Sequence, residues 1–154
     1  MTQNHFTATG VVFNPDGKVL MIKHKKLGVW LPPGGHIDDN ELPCDAVVRE
    51  IFEETGVTAK VISISDGIGI GSDVHCKELS LPFTILLENI EGTWQHNHID
   101  LVYLCEAESD DLTKNEFETD GIGWFSPEDA MKLDTYENVQ KAIAAACNHM
   151  KTRM

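Results

Sequence analysis

The sequence predicts an α/β (α+β) fold, and three observations carry that prediction. Segments rich in β-branched residues recur between short turn signals, and two other segments repeat apolar residues at helical spacing. The chain has 154 residues, enough for one domain with a real core and too few for two ordinary ones. A single domain over residues 1–154 is expected. Hydrophobic residues make up 42% of the chain, which with mixed charge argues against disorder. No apolar run approaches the roughly 18 residues that span a bilayer, so no membrane partner is expected. The start, MTQNHFTATG, lacks the basic and apolar regions of a secretion signal, and the expected location is cytoplasmic.

Taken in order, residues 5–13 and 18–24 read as two strands of a hairpin. Asn14-Pro15-Asp16-Gly17 lies between them, where Pro presets a turn dihedral and Gly accepts positive φ. Lys25 and Lys26 follow in a basic cluster, either a solvated loop or a contact for substrate phosphate. Pro32 and Pro33 stop the strand before them, and Gly34 and Gly35 let the main chain approach a ligand closely. A helix is expected to start near residues 41–43, with Pro43 in its first turn, and to close at Gly56. Ala46, Val47, Ile51 and Phe52 give it an apolar side.

Residues 57–64 read as a strand, and 66–73, with glycine at every second position, as a loop. No lysine follows those glycines and no helix opens there, so a mobile loop is expected instead of a phosphate cradle, with substrate contact as the alternative. Residues 79–88 and 99–107 read as two buried strands. Residues 114–120 form a polar connection to Gly123-Trp124-Phe125, where both aromatics are expected in the core. Ser126-Pro127-Glu128-Asp129 reads as a helix start, with Ser as cap and Pro in the first position. A last helix is expected over 136–150, packing through Val139, Ile143, Ala146 and Met150.

Net charge is −13, which opposes binding to long nucleic acid or an anionic membrane surface. Cys44, Cys76, Cys105 and Cys147 form no CxxC pair and are expected to be free buried thiols. Of seven histidines only His96 and His98 are near neighbours, with no partnering cysteine or carboxylate cluster, so no zinc site is expected. The informative charges are Glu50, Glu53 and Glu54, at i, i+3 and i+4 of the first helix and hence on one face. Like charges so placed cost an isolated helix roughly 0.2–0.5 kcal/mol per pair. A hard divalent cation would offset them, and oxygen ligands suit Mg²⁺ or Mn²⁺ better than Zn²⁺. Arg49, beside Glu50, would orient a carboxylate by charge-assisted hydrogen bonds.

The stretch from Gly35 to Val57, GHIDDNELPCDAVVREIFEETGV, resembles the signature of the Nudix hydrolases. That signature is Gly, five residues, Glu, seven residues, Arg-Glu, a bulky aliphatic, any residue, Glu-Glu, any residue, Gly and a bulky aliphatic. Gly35, Glu41, Arg49, Glu50, Ile51, Glu53, Glu54, Gly56 and Val57 fill every fixed position. The resemblance implies a mixed β-sheet sandwiched between α-helices. It also implies metal-dependent hydrolysis of a nucleoside diphosphate linked to another moiety, with Mg²⁺, or Mn²⁺, as the ion. On it, Glu50, Glu53, Glu54 and the Gly34 carbonyl would hold the metal, with Gly35 and Glu41 supporting them. The catalytic group would comprise Arg49, Glu50 and Glu53. The general base is either Glu53 or Glu118, with Glu116 the neighbouring candidate in the same loop.

His98 and Asp100 lie in a segment resembling a strand near the substrate in many Nudix enzymes, and are candidates for substrate contact or for positioning water. Ending a strand at the surface is the alternative for both. Marks for ADP-ribose, dinucleoside polyphosphates and NADH are missing from the region after the box. A MutT-like nucleoside triphosphate pyrophosphohydrolase is therefore expected, with nucleotide sugars and dinucleoside polyphosphates as alternatives within the class. The partner is then a small nucleotide, and the chain a monomer or homodimer. A Nudix-fold module that senses a nucleotide without cutting it is the second reading, and a helix with a purely structural role is the third.

Overall fold

The computed structural model describes residues 1–113 and 119–153. Its centre is the parallel pairing of β1 (Gln3–Phe13) with β7 (His96–Ala107), in register from Gln3 against His96 to Phe13 against Glu106. Every other pairing among the described strands is antiparallel. Beyond β1 lie β2 (Val19–His24) and β3 (Trp30–Leu31), while β4 (Gly34–His36) also pairs with β1. Beyond β7 lie β5 (Ala59–Val61) and β6 (Thr84–Asn89), and β8 (Thr119–Phe125) joins β2. The helices are α1 (Pro43–Thr55), α2 (Pro127–Lys132) and α3 (Glu137–Thr152). A mixed sheet between helices is what the resemblance implied.

Strand alternation sorts the core into two layers. Ala8, Val12, Leu20, Tyr103 and Cys105 pack with Ala46, Val47 and Ile51 of α1. Val11, Phe13, Met21, Val102 and Leu104 point the other way and pack with Ala130, Val139, Ile143 and Ala146 of α2 and α3. Gly10 lies on the α1 side, where a Cβ would fall 2.7 Å from Ile51 Cδ1 and 3.2 Å from Val47 Cγ2. The bare backbone there lets the helix lie close to the sheet.

Local signals produce the ends of these elements. In the first turn, Gly17 has φ +77° and Asn14 Oδ1 accepts from the N–H groups of Asp16 and Lys18. Pro43 opens α1, and Gly56, at φ 75°, donates to the Phe52 carbonyl and closes it. The Ser126 hydroxyl accepts from the Asp129 N–H to start α2. Trp124 and Phe125 are half-buried against the two core layers, as expected.

Several expectations need correction. The strand expected over 57–64 is only Ala59–Val61, and residues 79–83 precede β6 instead of belonging to it. Nor is β6 buried: as an outer strand it leaves Ile85 and Leu87 more than half exposed. β8 occupies a stretch read as a polar connection leading to aromatics, because its pairing with β2 is long-range and its glycines hide a strand pattern. The loop over 67–78 is tied by Glu78, whose carboxylate accepts from the N–H groups of Ile68 and Ile70 at 2.9 Å each. Among the thiols, Cys105 is buried and pushed up to about 12 by its burial, but Cys76 is exposed.

Replacing Gly10 with Val would drive branched carbon into Ile51 and Val47. The expected loss is about 1–3 kcal/mol, the usual cost of overpacking, read as a lower urea midpoint with an unchanged slope.

Candidate active site

The geometry starts with two glycines. A Cβ at Gly34 would fall 2.5 Å from the Ala8 carbonyl oxygen, and one at Gly35 would fall 2.5 Å from Cδ of Glu50. β4 can therefore lie against β1 on one side and receive the Glu50 carboxylate on the other only without side chains at these positions. The Gly34 N–H donates to Glu54 Oε1 at 2.8 Å, although Glu54 is only 3% exposed. α1 and β4 are thus joined through carboxylates.

Arg49 organises the outer part. Its Nε and Nη2 donate to the two oxygens of Glu41 at 2.8 and 2.9 Å, a bidentate pair. Nη1 donates to Glu50 at 2.9 Å and to Glu53 at 3.1 Å, and Nη2 also donates to the His36 carbonyl at 3.0 Å. Glu41 accepts in addition from the Asp38 N–H, closing the loop ahead of α1. The Arg49 guanidinium holds the Glu41 carboxyl below its ordinary range, and Glu41 and Glu50 in turn raise Arg49, so the group stays charged at any working pH.

These residues open onto a cleft of about 500 Å³. Gly34, Gly35, Glu50 and Glu54 line it, as do Lys25 and Lys26 from the turn between β2 and β3. His24, His36 and Asp38 complete the lining. The two lysines thus face the same space as the carboxylates. Glu53 and Glu41 are joined to it through Arg49. Glu116 and Glu118 lie outside the described residues.

His98 and Asp100 belong to a polar strip on the neighbouring sheet surface. Pairing sets His5 beside His98, Thr7 beside both Asp100 and His36, and Glu88 beside His98. Asp100 is 3% exposed and accepts from the Thr7 hydroxyl at 3.0 Å and the Thr9 hydroxyl at 2.9 Å. Burial, then the charge and hydrogen bond of Asp100, push Glu88 up to about 8. Burial raises Asp100 as well, but hydrogen bonds from Thr9, Glu88 and Thr7 oppose that rise, which favours Glu88 as the protonated partner. Burial, then the neighbouring histidines, push His98 down to about 4. The sequence reading did not single out His5, Thr7, Thr9, His36 or Glu88, because no linear spacing marks them and only the β1–β7 and β1–β4 pairings collect them.

A mixed sheet between helices, with a loop, a glutamate-bearing helix and a lysine-lined cleft, is the architecture of a Nudix-type hydrolase. The NUDIX domain model matches residues 3–147, and the chain belongs to that family. A Lactococcus lactis protein named "Probable DHNTP pyrophosphohydrolase" is 30% identical over 139 residues, covering 86% of this chain and 73% of that protein. A Streptomyces ambofaciens "MutT-like protein" is 40% identical over 55 residues, 36% of each chain. The crystal structure of a NUDIX-family hydrolase from Clostridium perfringens superposes with a TM-score of 0.80 at 32% identity, covering 96% of this chain and 99% of that one. The chain is a Nudix hydrolase, a family that generally uses divalent metals. Among the described residues, no helix is long and apolar enough to cross a membrane.

The strip has a pH signature. Glu88 is raised in the folded state, so the native chain holds an extra proton there from about pH 4.5 to 8, and that contribution to stability is lost as pH rises through this window. His98 is lowered, so its effect has the opposite sign and is confined to about pH 4 to 6.5. Between pH 6.5 and 8 the Glu88 effect stands alone of the two. Denaturant titrations in chelator should show stability falling across that interval, with a smaller fall in Glu88→Gln. Equal slopes would place the proton elsewhere.

Proposed function

We propose that the chain is a divalent-metal-dependent pyrophosphohydrolase that cleaves a pyrophosphate bond in a nucleoside diphosphate linked to another moiety. The observation that carries this reading is the convergence of Glu50 and Glu54 with Lys25 and Lys26 on one cleft. Carboxylates alone would repel a polyphosphate, and lysines alone would bind it without providing for a metal. Together they suit a substrate whose charge is shared between an ion and ammonium groups.

The donor set fits a hard cation. Glu50, Glu53, Glu54 and the Gly34 carbonyl offer oxygen only, and Gly35 leaves the space a Cβ would fill beside Glu50. Mg²⁺ or Mn²⁺ is the proposed ion. When bound, it would neutralise phosphate charge and lower the pKa of a water. Arg49 and Glu41 hold the carboxylates in place, and Lys25 and Lys26 bind the phosphates. Glu53 is the proposed proton acceptor, because its side chain is 53% exposed against 14% for Glu50 and is therefore open to a water. Glu118 is the other candidate for that role.

The class of substrate is a nucleoside triphosphate or related nucleotide, in keeping with the pyrophosphohydrolase name of the Lactococcus relative. Nucleotide sugars and dinucleoside polyphosphates are the alternatives to be tested. The experiment is phosphate and pyrophosphate release from a panel of these compounds with Mg²⁺, with Mn²⁺ and with chelator. Cleavage of one class is expected, abolished by chelator and reduced about 10²–10⁴-fold in Glu53→Gln, the usual range for losing a general base. Equal turnover by wild type and variant would remove Glu53 from the mechanism. Nucleotide binding without turnover would make the chain a sensor.

A further inference from the structure

Beside the carboxylate cleft the sheet gathers a second set of donors. His5 on β1 and His96 and His98 on β7 each offer a ring nitrogen, and the three atoms lie within 4.8 Å of one another. The parallel pairing creates the cluster, since His5 is the register partner of His98 while Gln3 is that of His96. The His5 and His96 rings stand 5.1 Å apart, and those of His96 and His98 5.7 Å apart. His36, which lines the cleft, places its ring 4.9 Å from that of His98.

Two further features separate this cluster from a chance gathering of histidines. Nδ1 of His96 lies 3.4 Å from Glu91 Oε1, so in the neutral ring Nδ1–H donates to the carboxylate and the lone pair stands on Nε2. That Nε2 is shielded from solvent and has no hydrogen-bond partner among the described residues. A carboxylate on one ring nitrogen and a partnerless second nitrogen is the arrangement of a metal-binding imidazole.

We propose that His5, His96 and His98 form a binding site for a borderline divalent ion of the Zn²⁺ class, distinct from the carboxylates of the cleft. Imidazole nitrogens favour zinc and its later first-row neighbours, whereas Mg²⁺ takes oxygen, so the two sites sort ions by donor chemistry. In a tetrahedral zinc site with Zn–N of about 2.0–2.1 Å, ligand nitrogens sit roughly 3.3–3.4 Å apart. Side-chain rotation, easiest at exposed His5, supplies the closure from 4.8 Å. Three protein ligands leave a fourth position for water or for an anionic group reaching over from the cleft past His36.

The test titrates Zn²⁺ into the chelator-stripped full chain with Mg²⁺ in excess, using competition with a chromophoric chelator. One equivalent is expected to bind, weakened at least tenfold in His5→Gln and in His96→Gln, and unchanged in a Glu53→Gln, Glu54→Gln double variant. Zinc should also raise the melting temperature of wild type and leave that of His5→Gln unmoved, a readout that does not depend on turnover. Affinity equal to wild type in both histidine variants would overturn the site, as would loss of binding in the carboxylate variant.

Discussion

The guanidinium of Arg49 is the constraint on which the active cleft depends. Glu41, Glu50 and Glu53 surround it within hydrogen-bonding distance, the His36 carbonyl accepts from it, and Asp38 lies 3.5 Å away. A planar cation with five donors can serve a bidentate partner, two single carboxylates and a carbonyl at once, which an ammonium cannot. It joins the loop before α1, the exposed face of α1 and the end of β4 into one unit. Like charges that would weaken a free helix share a cation that belongs to the chain itself. The chain thus orients Glu41, Glu50 and Glu53 with a cation of its own.

The same economy appears on the backbone side. Gly34, Gly35 and Gly10 are each hemmed by atoms within 3 Å of where a Cβ would stand. At Gly10 the space goes to packing of α1, and at Gly35 to a carboxylate. The α1 layer of the core and the active carboxylates are thus neighbouring stripes of one helix, with Ile51 buried and Glu50 directed to the cleft.

What could be read from the sequence was local. The i, i+3 and i+4 glutamates, Pro43 and Gly56 at the ends of α1, the Asn14–Gly17 turn and the Ser126 cap are each written within a few residues, and each was legible. β8 and the short β4 exist only through partners elsewhere in the chain, so no periodicity announced them. The burial expected for β6 failed because its apolar residues alternate on an outer strand, a position that hydrophobicity alone does not reveal. The histidine cluster was illegible for the same reason as β8: His5 meets His98 only through the sheet. Lys25 and Lys26 were ambiguous in sequence because a solvated turn and a cleft wall have the same composition.

The parallel pairing of β1 with β7 has a consequence for the birth of the molecule. β1 leaves the ribosome with its long central neighbour almost a hundred residues behind it, beyond the glutamate helix. Contacts of such separation close late and slow folding. The hairpin and the helix can form early, but the wall against which β1 rests is missing until β7 has been made. Synthesis therefore delivers the acidic helix well before the full sheet beneath it, and a nascent chain cut short ahead of β7 would carry the complete signature without the fold that gives it a use.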